Sequence, residues 1–73
     1  MIWNVGPYTM SDESQATAAD AHYRQGQEYA TAGHYERAVA AYTQAVLLHP
    51  RHLKAFFGRG LALHRVGKAE AAL

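Results

Sequence analysis

Five histidines, six carboxylates and no cysteine are the groups from which this 73-residue chain could build a reactive or metal-binding site. His49 and His52 stand three apart, a spacing that on a helix would bring two imidazoles together. Pro50 lies between them, however, and two ligands do not close a zinc site. His34, His49 and His52 all fall in predicted loops, where a solvated imidazole needs no further role. Ser11 and Ser14 have no histidine and acid arranged around them in the sequence. No catalytic residue, metal or cofactor is therefore expected, and the remaining chemistry is that of contact.

The elements that must carry such contacts are helices. Hydrophobic residues make up 49% of the chain and charged ones 18%, too apolar for a disordered polar tail, and the surplus is mostly Ala, the strongest helix former. No apolar run approaches a membrane span and the N-terminus lacks signal-peptide organisation, so a cytoplasmic protein with no membrane partner is expected. The overall charge of +1 conceals an asymmetry. Residues 1–50 carry five acids against two cations, whereas residues 51–73 carry five cations against one acid. Cations spread over a helical pattern describe a solvated face, and no nucleic-acid partner is expected.

Residues 1–12, with Trp3 and Tyr8 around Gly6-Pro7, read as a flexible lead-in, or as an extended segment that covers part of the helical surface. Asp12 is a candidate cap with Gln15 completing a capping box, and a helix is predicted over about 13–32. Gly33 ends it, a second helix covers about 35–48, and Pro50 ends that. A third is predicted over about 51–66, closed by Gly67, with a fourth begun at Lys68 and cut off at Leu73.

An offset of 34 residues superimposes Ala21 on Ala55, Gly26 on Gly60, Gly33 on Gly67, Glu36 on Glu70 and Ala38 on Ala72. Periods of 20–50 residues mark solenoids, whose units bury apolar faces against their neighbours. Gly26 and Ala38, both small, predict a close helix crossing, with Tyr29, Tyr35, Tyr42 and Ala45 filling the space around it.

With these residues in register the chain resembles the tetratricopeptide repeat, whose small, aromatic and proline positions match Gly26, Tyr29, Gly33, Tyr35, Ala38, Tyr42, Ala45 and Pro50. The second copy matches at Phe56, Gly60, Leu63, Gly67 and Ala72, while Arg59 takes a leucine position. The resemblance implies an all-α fold: antiparallel helix-turn-helix hairpins of a truncated α-solenoid. Over residues 13–73 it gives one complete repeat at about 19–52 and a partial one at about 53–73.

It also implies a protein-protein interaction module or scaffold without catalysis of its own, binding a peptide or protein partner in a concave groove. By that resemblance Tyr23, Gln27 and Ala30 line one wall, and Lys54, Phe57, Leu61 and His64 the other. The co-chaperone clamp for a C-terminal carboxylate is not expected, because Gly58 stands where that pattern has Arg, and Tyr23 and Gln27 replace Lys and Asn. An alternative is a substrate-recruiting repeat segment of a larger enzyme such as a transferase. Stacked repeats need neighbours, so the chain is expected to be a fragment, or to form a homo-oligomer through its unfinished C-terminal helices, burying Phe56, Leu61 and Leu73.

Overall fold

The computed structural model describes residues 12–72, with side chains over 14–68. It holds three helices: α1 (Asp12–Thr31), α2 (Tyr35–Leu48) and α3 (Leu53–Ala72). The lead-in over 1–11 and Leu73 lie outside the described residues. The helix opens at Asp12, and the expected Asp12 cap rests on side chains outside the described ones.

The α1–α2 reversal follows from one glycine. Gly33 has φ 84°, the left-handed region, and is the only described residue at positive φ. The His34 N–H donates to the Tyr29 carbonyl at 2.8 Å and the Gly33 N–H to that of Ala30 at 3.0 Å, the paired bonds of a Schellman motif. A Cβ on Gly33 would meet nothing within 4 Å, so alanine there costs only backbone strain, about 1 kcal/mol.

The core explains the alanine-rich composition. Ala19, Ala38, Ala45, Ala55 and Ala62 are buried with Tyr42, which is 4% exposed, and Tyr23, Tyr29, Val39 and Val46 pack around them. Small side chains let the helices approach, and the apolar area comes from tyrosine rings. Gly26 is part of this, and its nearest neighbour is Tyr42. A Cβ on Gly26 would lie 2.7 Å from Cδ1 and Cε1 of Tyr42, so the glycine seats an aromatic ring rather than a second small residue.

Two expectations about α3 are corrected. It starts at Leu53, not Arg51, because Pro50 and Arg51 form a turn and the carbonyl of His52 receives the first helical N–H bonds, from Ala55 and Phe56 at 3.1 Å each. It also does not end at Gly67. Residues 68–72 continue α3, and no fourth helix begins among the described residues. Extending a helix adds one hydrogen bond per residue, whereas a new helix must first be nucleated. Glycine permits a reversal without compelling one.

Gly60, inside α3, likewise meets nothing within 4 Å of a Cβ. Gly60→Ala is expected to raise stability by about 1 kcal/mol through helix propensity, where Gly33→Ala lowers it by a similar amount. In thermal melts at low micromolar protein the two midpoints should move in opposite directions by about 4–8 °C each.

Candidate functional site

The helix-to-helix register places two stripes side by side. On α1, Tyr23, Gln27 and Ala30 recur at i, i+4 and i+7; on α3, Lys54, Gly58, Leu61 and Arg65 recur at i, i+4, i+7 and i+11, each set on one side of its helix. Near the start of α3 the Tyr23 ring lies 5.0 Å from that of His52, and Asp20 reaches His52 at 2.8 Å. Further along, Ala30 and Thr31 of α1, Tyr35 and Tyr42 of α2, and Gly58, Leu61, Ala62 and Arg65 of α3 line a cleft of about 240 Å³.

The floor of this groove is Tyr42. Its ring sits on Gly26 from one side and on Gly58 from another, where a Cβ would lie 2.7 Å from Cζ and 2.9 Å from Cε1. Gly58 thus has a packing reason of its own. Burial and the neighbouring Tyr23 push the Tyr42 phenol above its ordinary value, so it is neutral at physiological pH.

The walls differ in chemistry. The Tyr23 hydroxyl accepts a hydrogen bond from Gln27 Nε2 at 3.0 Å, which makes a polar but uncharged rim on α1. On α3, Lys54 is exposed, and Arg65 lies over Tyr35, its guanidinium carbon 5.8 Å from the ring centroid and its Nη1 3.5 Å from the hydroxyl. No described residue of α3 between Leu53 and Lys68 is acidic, so this wall is cationic around an apolar centre at Leu61.

Of the residues singled out from the sequence, Ala30 and Leu61 line the cleft, Tyr23 and Gln27 form the rim beside it, and Lys54 stands at the start of its stripe. Phe57 and His64 are exposed on the next side of α3 and do not line it. Thr31, Tyr35, Gly58 and Arg65 were missed. Steps of four, three and four residues from Lys54 lead to Gly58, Leu61 and Arg65 and would have found two of them.

His52 was also misjudged. Its side chain is only 9% exposed, and both ring nitrogens are engaged. Nδ1 accepts the Ala55 N–H at 3.2 Å, capping α3, and therefore carries a lone pair. The proton then resides on Nε2, which donates to Asp20 Oδ1 at 2.8 Å. The His49 ring stands 6.0 Å away, edge to face. Arg59, in its leucine position, is half-buried, and its Nε has no hydrogen-bond partner.

An antiparallel helix pair with a third helix laid alongside it at a 34-residue offset defines an α-helical repeat protein. A family model for the tetratricopeptide repeat matches residues 23–73, more than half of the chain, and the chain belongs to that family. Repeats of this family are in general protein-interaction modules. No curated protein and no solved structure matches the chain. No helix among the described residues is long and apolar enough to cross a membrane.

Proposed function

We propose that the protein is an interaction module whose α1–α3 groove holds an extended segment of a partner protein, and that the segment is acidic. The observation that carries this reading is the pairing of the two stripes: an uncharged rim of Tyr23 and Gln27 faces a wall in which Lys54 and Arg65 flank Leu61. A small apolar side chain over Ala30 and Leu61, with carboxylates on either side of it, meets both the shape and the charge of the groove. Phe57 and His64, included in the expected binding surface, contribute only at its outer margin.

The test is titration of the labelled chain with amidated peptides in which aspartate and glutamate flank a single valine or leucine. Amidation separates side-chain recognition from capture of a terminal carboxylate. Amide shifts are expected at Ala30, Gly58, Leu61 and Arg65, and the doubly substituted Lys54→Glu, Arg65→Glu chain should bind at least about tenfold more weakly with unchanged helicity. Equal binding by peptides with lysine in place of the acids would refute the reading. Tyr23 is a poor probe, since its ring packs on His52 and Tyr42 and its loss would disturb the fold.

A further inference from the structure

We propose that the groove also fixes the spacing within the segment it holds: a carboxylate two residues from the apolar side chain seated on Leu61, with Arg65 as the residue that reads the interval. This spacing rule rests on the acidic-segment reading and goes beyond it. It follows first from how Arg65 is held. The Arg65 guanidinium carbon lies 5.8 Å from the centroid of the Tyr35 ring and Nη1 lies 3.5 Å from the Tyr35 hydroxyl, in the cleft that Leu61 also lines. A guanidinium over an aromatic face is fixed in place while N–H donors along its edge stay available to a carboxylate. Among the described residues the one ion pair is that of His52 with Asp20, so no acid of the chain occupies those donors. Lys54, in contrast, is exposed and carries its charge on a flexible four-carbon stem. One cation of the wall is fixed and the other is loose.

Helix and strand geometry turn these positions into a sequence rule. Asp20 meets His52 at the start of α3, and Ala30 and Leu61 line the cleft further along, so α1 and α3 run in the same direction and the groove follows their axes. Leu61 and Arg65 are four residues apart, about 6 Å along the helix. Two residues of an extended chain advance about 7 Å, and residues two apart point to the same side. A spacing of one or three turns the carboxylate away from the groove, and a spacing of four carries it about 13 Å, past Arg65. Toward Lys54 the interval is seven helical residues, about 10 Å, or roughly three residues of an extended chain. The long Lys54 stem absorbs the mismatch, so an acid on that side is accepted at two, three or four positions. The rule is strict at one end of the segment and lenient at the other.

Tyr35, the first residue of α2, acts on this specificity only through Arg65 and is a positioning residue. The reversal at Gly33 delivers its ring to the end of the groove that Arg65 reaches from α3.

The test uses acetylated and amidated peptides of one composition, each with a single leucine and a single glutamate in a glycine-serine background. The two residues stand one, two or three positions apart, in both orders, and each peptide is titrated into the labelled full chain while the Leu61 and Arg65 amides are followed. In one order, set by the direction in which the segment runs, the spacing of two should bind at least about fivefold tighter than the other spacings. Arg65→Lys keeps the charge but loses the planar fork, and Tyr35→Leu keeps an apolar side chain but removes the ring; in each the preference should fall below about twofold. Each ratio is taken within one variant, so a change in its folded population cancels. Equal binding at all three spacings, with lysine-for-glutamate peptides still weaker, would overturn the spacing rule and leave the acidic-segment reading standing. Equal binding of the lysine peptides would overturn both. A preference that survives Arg65→Lys would overturn the role of Arg65, and one that survives Tyr35→Leu would overturn the holding of Arg65 as its cause.

Discussion

Tyr42→Ala is expected to cost about 4 kcal/mol, enough to unfold much of a domain of this size at room temperature. The ring is nearly fully buried and bridges all three helices, lying on Gly26 of α1 and Gly58 of α3 while belonging to α2. The converse change is expected to do comparable harm. Gly26→Val and Gly58→Val each drive carbon atoms into a ring that already lies 2.7 Å from a bare Cβ, and with Tyr42 held from both sides the overpacking should cost about 3 kcal/mol. Tyr42→Phe, which keeps the ring, should be nearly neutral at pH 7. Because burial first, and Tyr23 second, raise the phenol above its unfolded value of 10.0, the folded chain holds this proton more tightly than the unfolded one. The stabilisation is present in full below pH 10.0 and is lost as the pH rises through the folded value, so alkaline destabilisation should be shallower in Tyr42→Phe. Urea titrations followed by circular dichroism at neutral and alkaline pH measure each of these effects.

His52→Ala is expected to cost about 2 kcal/mol: about 1 for the cap on the Ala55 N–H, about 0.5 for the bond to the exposed Asp20, and the rest from packing on Tyr23. Two substitutions separate the parts. His52→Asn keeps a capping acceptor and should recover about 1 kcal/mol of the loss. Asp20→Asn leaves an oxygen to accept from Nε2 and should be mild, whereas Asp20→Ala should not be. Asp20 is itself exposed, so the cost of losing it stays below that of losing the cap. A double-mutant cycle of His52→Asn with Asp20→Ala should show positive coupling between the two sites, read from denaturation midpoints. No coupling would mean that the 2.8 Å contact does not constrain the chain in solution.

Much of this architecture could be read from the residues. Gly33 announced the α1–α2 reversal because a left-handed residue is demanded there and only glycine supplies it cheaply. Gly33 and Pro50 bounded α2, and the expected crossing at Gly26 placed its Ala38, Tyr42 and Ala45 in the core. Gly67 misled because its repeat partner turns the chain, and a sequence position cannot carry the packing that makes a turn worthwhile. His52 was illegible for a different reason. Capping is usually read from Ser, Thr, Asn and Asp, and the acid that fixes this imidazole lies 32 residues away in the chain. In the groove, the α3 stripe was only half seen. Its apolar member was found, but Arg65 was counted with a solvated charge pattern, although its spacing from Lys54 and Leu61 puts it on the same wall.

The double seating of Tyr42 also bears on how such an array unfolds. In a linear repeat protein, stability divides into a part intrinsic to each hairpin and a part belonging to each junction, and the balance between the two decides whether units melt singly or together. Here a single ring belongs to both parts. It closes the hairpin on Gly26 and holds the next helix on Gly58, so the hairpin cannot open without releasing the junction. The chain is thus built to melt as one cooperative unit, with the size of that unit set by a residue in its middle helix.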